Sequence, residues 1–336
     1  MNRIQTHHTE QNAPHRSTRR LLWFSWLLGL SMLAAVIVAA IHFSQERELL
    51  RIAEEAEPWW LALAVSLQVG TYLAQGETWR VVTRAAGVDL PSLVAFKLSL
   101  AKLFIDQALP SAGISGTVVV ANALEQRGLA RSVVMAAVVV DSVGYYAACV
   151  LMLGVALVIA IAFGHASPLI LAASVIFVVI SATLATTALA LSGRKRSGPE
   201  WLNRIPGLGK VLSLIREADP TLARGLPLLC KSGLLQLSII LLDAATVWIL
   251  ILSLGQVASP TGVFASFVIS TLLRTVGIVP GGLGVFEAAS VVTLKLAGVA
   301  VPVALAATLL FRGLSFWLPM VPGLIFSRGA KKMQPE

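Results

Sequence analysis

The stretch Ile278-Val279-Pro280-Gly281-Gly282-Leu283-Gly284-Val285-Phe286-Glu287 interrupts a long apolar region of the chain. Proline lacks a backbone donor and clashes with the preceding helical turn, and the three glycines permit backbone angles that other residues avoid. Inside a bilayer, broken backbone is tolerated only where it is buried in protein or lines a cavity. An ionisable residue at that depth is a functional-site hypothesis by default. Because Arg274 precedes the break and Glu287 follows it, we predict that this stretch forms part of a functional site.

The composition of the chain indicates a membrane protein built from helices. Of its 336 residues, 57% are hydrophobic and only 13% are charged, whereas soluble domains carry about 25% charged residues. Apolar runs of about 20 residues recur, and the roughly 10-residue alternation of a transmembrane β-barrel is absent. The sequence therefore predicts an all-α polytopic membrane protein.

Six uninterrupted apolar segments are long enough to cross a bilayer. They are residues 21–43, 58–78, 132–163, 169–191, 227–254 and 301–326. Two further apolar stretches, 91–127 and 261–298, are interrupted, the first at Leu109–Gly116 and the second at the opening stretch. We predict six full spans plus two re-entrant or broken helical hairpins.

Arginine and lysine collect between the spans in a way that fixes an orientation. They precede residue 21, follow residues 78 and 127, fill the loop 193–226 and follow residue 326. By the positive-inside rule, these segments lie on the cytoplasmic side. We predict a multi-pass protein of the cell inner membrane with both termini in the cytoplasm. The same rule accounts for the net charge of +9 without a nucleic-acid partner.

Neither a metal nor a cofactor is expected. Cys149 and Cys230 lie in or beside apolar segments, where small core residues are more typical than a disulfide or a metal site. The histidines of the polar N-terminal tail, His7, His8 and His15, fit a solvated segment. No P-loop pattern occurs, so direct ATP use is not expected.

The order of the elements indicates an internal repeat. Span, broken hairpin and span occur twice, and a shift of 170 residues carries Pro110 onto Pro280 and Gly128 onto Gly298. The charge assignments root the first hairpin inside and the second outside, which is the inverted-topology repeat of many transporters. The alternative is that both stretches are ordinary helices with proline kinks.

The predicted domain organisation follows from this repeat. A cytoplasmic tail, 1–20, precedes a transmembrane domain, 21–326, and a second tail, 327–336, follows it. Within the domain, repeat one covers about 58–192, a cytoplasmic basic loop covers 193–226, and repeat two covers about 227–326. In the loop, Trp201–Ile215 fits a short interfacial amphipathic helix, and a solvated connector is the alternative.

Three motifs resemble those of the lysylphosphatidylglycerol synthase transmembrane-region family. They are Ala108-Leu109-Pro110…Gly116, the segment from Val279 to Glu287, and Phe311-Arg312…Pro319…Pro322-Gly323. The resemblance covers nearly the whole chain and implies a flippase-like membrane protein. The family includes the lipid-flipping half of the aminoacyl-phosphatidylglycerol synthases and stand-alone members tied to other lipids, hopanoids among them. Because no soluble aminoacyl-transferase domain is present, the chain resembles a stand-alone member.

The first half departs from the pattern of that family. The family usually shows Gly-Gly-Asp and an arginine after its first proline, and a Glu-Arg pair in the next span. Here Ser115-Gly116-Thr117 and Val120 occupy the first place, and Asp141-Ser142 the second. The usual substrate of the family is therefore not carried over, and the second break is the stronger candidate for holding a head group.

The candidate substrate-binding residues are the breaks and the charges that lie near them in depth. Charges about ten residues inside a span lie near the centre of a roughly 30 Å core. The set consists of Lys102, Asp106, Pro110, Asp141, Asp243, Arg274, Pro280, Gly281, Gly282, Gly284, Glu287 and Arg312. Lys102 and Asp106, spaced i and i+4, share one helix face.

Each member of this set has an expected role. Arg274 and Arg312 would supply forked donors to a phosphate, and the helix after each break would present free N–H groups and a partial positive charge. Glu287, Asp141 and Asp243 would balance these cations or take up protons. The alternative is that Arg274–Glu287 and Asp141–Arg312 are ion pairs that only stabilise a rigid bundle.

The leading hypothesis is a non-enzymatic translocase that moves a phosphate-bearing or isoprenoid-type lipid between leaflets, with membrane lipids as its partners. A membrane enzyme acting on lipid-linked substrates is a second hypothesis, although no nucleophile–base constellation lies in the spans. A third is an accessory subunit that recruits a lipid-synthesis enzyme through the basic loop.

Overall fold

The computed structural model describes residues 57–109, 114–162, 168–194, 208–276 and 282–331, together with Leu27 and Ser31. All regular structure within these residues is helical, which confirms the predicted all-α class. The helices are α1 Pro58–Ala85, α2 Ser92–Ala108, α3 Ile114–Glu125, α4 Arg131–Ala162, α5 Pro168–Leu191, α6 Leu208–Arg216, α7 Pro220–Ala223, α8 Leu226–Ser253, α9 Pro260–Val276, α10 Val285–Leu296, α11 Val301–Arg312 and α12 Leu318–Lys331, with a π-helical segment, Gly313–Trp317, between the last two.

Four helices of the described chain are long and apolar enough to cross a membrane. They are Arg131–Ala162, Leu171–Leu191, Leu226–Ser253 and Val301–Ser327. Each matches one of the predicted spans to within about two residues. The predicted span 21–43 lies outside the described residues apart from Leu27 and Ser31, which are both exposed.

Helix α1 is longer than the predicted span 58–78. It continues to Ala85 because charged side chains pair along its last turns: Arg80 Nη1 lies 2.5 Å and Arg84 Nη1 lies 3.5 Å from the carboxylate of Glu77. The predicted span ended too early because the charged residues end the apolar pattern, whereas the helix continues through them.

Both interrupted stretches consist of two short helices separated by a break. Helix α2 has 17 residues and α3 has 12, and in the second stretch α9 has 17 and α10 has 12. Pro110, Pro280 and Gly281, which were predicted to form the breaks, lie outside the described residues. In the basic loop, α6 covers the second part of the predicted interfacial helix and packs against α4 and α5.

The two halves of the fold repeat each other in length. Helices α1 and α8 both have 28 residues, and a shift of 168 residue numbers carries Pro58 onto Leu226 and Ala85 onto Ser253. The same shift carries α2 onto α9, from first residue to last. The sequence of lengths 28, 17 and 12 thus occurs twice.

The turns that follow α1 and α8 use equivalent hydrogen bonds. Val88 N donates to Thr83 O after α1, and Gln256 N donates to Ile251 O after α8. The side chain of Arg80 donates to Leu90 O at 2.7 Å, and that of Trp248 donates to Ala258 O at 3.0 Å. All of these donors and acceptors correspond under the shift of 168.

Helices α1 and α8 run antiparallel at the centre of the fold, where they form its most extensive helix–helix contact. Glu57 N, before the first residue of α1, donates to the carbonyl oxygen of Ser253, the last residue of α8, at 3.2 Å. Deeper in the contact, Gln68 of α1 meets Asp243 of α8. Rising numbers on α1 therefore meet falling numbers on α8.

The buried apolar side chains form two large clusters, and α1 contributes to both. One cluster joins α1 to α4 around buried side chains such as Trp79, Leu124 and Val140. The second cluster joins α8 to α11 around Leu250, Phe286 and Phe311, and it includes Ala64 from the first half of α1. The polar side chains described next lie along and beside the contact between the halves.

Candidate substrate site at the centre of the bundle

A buried ion pair lies beside the second break. Arg312 Nε of α11 donates to Glu287 Oε1 of α10 at 2.6 Å, and the two side chains are only 4% and 1% exposed. The other carboxylate oxygen of Glu287 accepts a bond from Gly284 N at 2.6 Å. Glu287 therefore folds back over the first turn of its own helix, as the acidic residue of a capping box does.

Aromatic rings enclose this ion pair. The guanidinium carbon of Arg312 lies 5.3 Å from the ring centre of Phe286 and 4.7 Å from that of Phe316. The guanidinium carbon of Arg274 lies 5.9 Å from the centre of the Phe286 ring as well. These distances are typical of cation–π contacts. Phe286 thus contacts both arginines that the sequence placed in the site.

Neither ion pair of the alternative interpretation forms between the described side chains. Glu287 pairs with Arg312 rather than with Arg274, and the alternative Asp141–Arg312 pair does not form either. The reason is that α10 and α11 pack directly against each other, with Ser290 and Thr308 in hydroxyl contact at 2.8 Å. That packing brings Glu287 to Arg312 and leaves Arg274 in contact with the Phe286 ring.

Arg274 packs closely against Gly282, which lies beside the second break. It is half-buried near the end of α9, and a Cβ on Gly282 would collide with its aliphatic chain. Gly282 and Gly284 both have positive φ, 64° and 81°, which favours glycine. Among the described residues, no carboxylate lies within ion-pair distance of Arg274, and Asp243 lies within its electrostatic range.

The first hairpin has its own carboxylate at a helix start. Lys102 Nζ and Asp106 Oδ2 are 3.0 Å apart, as their spacing predicted. Asp106 Oδ1 also accepts a bond from Gly116 N, in the first turn of α3, at 2.8 Å. The helix starts after both breaks thus have an N–H group bound to a carboxylate. The expectation of free donors there is wrong for Gly116 and Gly284, so a phosphate would have to displace a carboxylate to reach either N–H.

Glutamine side chains hold the two remaining carboxylates. Gln68 Nε2 of α1 donates to Asp243 Oδ1 of α8 at 2.6 Å. Gln236 Nε2 of α8 donates to Asp141 Oδ1 of α4 at 2.7 Å, and Gln75 Nε2 lies 3.4 Å from the same oxygen. Gln68, Gln236 and Asp141 are 1%, 4% and 9% exposed.

Sequence reasoning missed these glutamines because amides carry no net charge. One signal was available in the sequence: Gln68 and Gln75 are spaced seven residues apart in an apolar helix, on one face. Gln68 and Gln236 also correspond under the shift of 168, which only the helix lengths reveal.

The helix that carries Arg312 widens directly after it. In the π-helical segment, Leu314 O accepts a bond from the Tyr72 hydroxyl at 2.6 Å, and Ser315 O accepts one from Gln107 Nε2 at 3.1 Å. A π-segment releases backbone carbonyls and is frequent at functional sites. Here the released oxygens tie repeat two to α1 and α2.

Comparison with known proteins agrees with the motifs. A family model described as the lysylphosphatidylglycerol synthase TM region matches residues 10–323. The chain belongs to this family. A UPF0104 membrane protein of Methanothermobacter thermautotrophicus is 26% identical over 315 residues, which is 89% of this chain and 92% of the relative. The resemblance is therefore confirmed, and the lysylphosphatidylglycerol synthase TM region family identifies the chain as a membrane protein related to lipid handling.

Proposed function

We propose that this protein is a lipid translocase that moves a phosphate-bearing or isoprenoid-type lipid between leaflets, without chemical change to the lipid. The observation that carries the proposal is the polar centre between two halves whose first three helices match in length and which meet along antiparallel helices. Transporters built from inverted repeats place their substrate at such a centre, between discontinuous helices.

The lengths of the hairpin helices support a re-entrant arrangement. At 1.5 Å per residue, α2 is about 25 Å long and α3 about 18 Å, and both fall short of a hydrocarbon core of roughly 30 Å. With α9 and α10 of the same lengths, the two hairpins would enter from opposite sides. Together with the four apolar helices, α1 and the segment 21–43, this gives the proposed six spans and inverted repeat.

Arg274 is the proposed ligand of an anionic head group. It is half-buried, lies beside the break, and has no carboxylate partner among the described residues. A guanidinium binds phosphate through a planar fork of donors. Arg312, which Glu287 and two rings already enclose, would instead hold Phe286 and thereby Arg274 in place. Lys102 and Asp106, each about one-sixth exposed, would contact the lipid at the first hairpin.

Reconstitution into liposomes tests the proposal. Labelled phosphatidylglycerol, phosphatidylethanolamine and polyprenyl phosphate would be scored for movement between leaflets, with and without a proton gradient. We expect at least one phosphate-bearing lipid to move faster than in protein-free liposomes. If every lipid moved at the same rate with the protein as in protein-free liposomes, under every condition, a translocase would be rejected.

The Arg274→Gln variant tests the proposed ligand. We expect transport of the preferred lipid to fall about tenfold or more, because a charge-assisted bond to phosphate is lost. Arg84→Gln is the matched control, since Arg84 is an exposed arginine at the end of α1. Equal transport by the two variants would remove Arg274 from the site.

An enzyme acting on lipid-linked substrates is the alternative, and an accessory subunit is another. Mass spectrometry of a lipid pool incubated with the protein separates the first from a translocase, which leaves masses unchanged. Co-purification of a lipid-synthesis enzyme that is lost on deletion of the basic loop would favour the second.

Reporter fusions would test the proposed inner-membrane location with both termini in the cytoplasm.

A further inference from the structure

The four carboxylates at the centre fall into two pairs by what holds them. Asp106 and Glu287 are bound by cations of their own repeat, Lys102 and Arg312. Asp141 and Asp243 each accept a bond from a neutral amide of the other repeat: Gln236 of repeat two binds Asp141, which Gln75 of repeat one also approaches, and Gln68 of repeat one binds Asp243. The charged pairs thus lie within the halves, and the two amide–carboxylate bonds between the halves join the bonds to the π-helical segment described above.

The donors of these two bonds are equivalent, whereas their acceptors lie on different helices, Asp243 on α8 and Asp141 on α4, and the bonds lie at different depths. Gln68 and Gln236 are equivalent positions of α1 and α8. Since Gln75 and Gln236 both approach Asp141, they lie at one level, seven residues along α1 from Gln68. Seven residues correspond to about 10 Å along a helix. The Gln68–Asp243 bond is therefore nearer the Pro58 end of α1, and the Gln236–Asp141 bond is nearer the Leu226 end of α8.

The contact between the halves is suited to opening at these bonds. A neutral donor binds a carboxylate less strongly than a buried cation does. Gln68 is also imperfectly satisfied, because its Oε1 is buried without a donor among the described residues. Water or a head group could satisfy the amide and the carboxylate once the halves part, whereas the ion pairs within each half keep that half rigid.

We infer that Gln68–Asp243 and Gln236–Asp141 are two clasps that open alternately, one for each side of the membrane. The inference rests on the proposed translocase function, because it supplies the alternation that the function requires. Both clasps are closed in this structure. Opening one end breaks the clasp near that end and keeps the other as the pivot.

Two equivalent positions can report on the two ends separately. Ala64 lies one turn from Gln68 and Ser232 one turn from Gln236, and both are fully buried. Each would be replaced by cysteine in a Cys149→Ala/Cys230→Ala background. Labelling by a water-soluble maleimide in lipid nanodiscs, where both faces are accessible, measures how often each end opens.

We expect Gln68→Leu to raise the labelling rate at position 64 by roughly tenfold or more and to leave the labelling rate at position 232 unchanged. Gln236→Leu should do the reverse. Asp243→Asn and Asp141→Asn, which weaken the same clasps while keeping a hydrogen-bonding group of the same shape, should reproduce the two patterns if a leucine variant fails to fold. Ser66→Leu is the control, since Ser66 is exposed on α1 and its hydroxyl bonds only to Ala62 O.

If the variants changed the labelling rates at both reporter positions equally, or changed neither, the proposal of two clasps would be rejected. The labelling does not depend on transport, so the two proposals fail separately. A clear split between reporters in a protein that moves no lipid would keep the clasps and reject the translocase. Lipid transport without a split would keep the translocase and reject the clasps.

Discussion

At the scale of single residues, Glu287 has both carboxylate oxygens occupied inside an apolar bundle. Arg312 binds one and Gly284 N binds the other. A buried ion pair is weak evidence for stability, yet removing one partner leaves an uncompensated charge, which is strongly destabilising. The pair therefore specifies how α10 and α11 pack. Its effect on the free energy of unfolding becomes measurable only when one of the two partners is removed.

Arg312→Met is expected to lower the free energy of unfolding by about 3–5 kcal/mol, because Glu287 is left buried without its cation. The double variant Arg312→Met/Glu287→Gln should recover most of that loss, since no charge then remains and the amide oxygen still accepts from Gly284 N. Thermal or denaturant unfolding in detergent measures both. A single variant as stable as the parent would show that the pair does not constrain the fold.

How far the sequence predicted the site depended on the distance between partners along the chain. Lys102 and Asp106 are four residues apart, so helix geometry alone predicted their contact. Glu287 and Arg312 are 25 residues apart, and Gln68 and Asp243 are 175 apart. Such partners depend on how helices cross, which the local pattern does not contain. The charges themselves were found because charge is conspicuous in an apolar span, and the amides were not.

At the scale of the helices, close approach explains why the first hairpin folds around Gly116. A Cβ at this position would lie 2.6 Å from Lys102 O and would collide with the carboxylate of Asp106. Because both neighbours belong to α2, the missing side chain allows the two arms of the hairpin to approach. The sequence predicted that a break would lie here from Pro110 and Gly116, but not that Gly116 would be the point of contact.

Gly116→Ala is expected to destabilise the protein by about 1–3 kcal/mol, the usual effect of overpacking, and to free the Asp106 carboxylate. Gly154→Ala is the matched control, because a Cβ on Gly154 of α4 would meet no atom within 4 Å. Alanine there should be neutral or stabilise by up to about 1 kcal/mol. Unfolding curves in the same detergent compare the two, and equal effects would contradict the close approach.

At the scale of the whole molecule, the antiparallel contact of α1 and α8 sets the relation between the halves. The sequence predicted an opposed repeat from loop charges alone, with an offset of 170. The helices α1 and α8, and likewise α2 and α9, are offset by 168 instead. Helices α3 and α10 are offset by 171, so no single offset aligns all three pairs of helices.

Cysteine pairs test this arrangement directly. In the Cys149→Ala/Cys230→Ala background, we expect Glu57→Cys/Ser253→Cys to be joined by a short bifunctional reagent, because Glu57 N and Ser253 O are 3.2 Å apart. Glu57→Cys/Leu226→Cys should not react, since Leu226 begins α8 at the far end, about 40 Å away. A gel-mobility assay reads the result. Reaction of the second pair instead of the first would mean parallel helices.

The equivalent turn bonds of Arg80 and Trp248 have a consequence for biosynthesis. Both donate to the corresponding carbonyl oxygens, Leu90 O and Ala258 O, so the shape of the turn is specified in both halves. An arginine resists translocation during insertion, whereas a tryptophan is accepted at either interface. In the proposed inverted topology, the newly made first half therefore contains an anchor that keeps its turn on one side of the membrane, and the turn of the second half crosses to the other side without moving a charge.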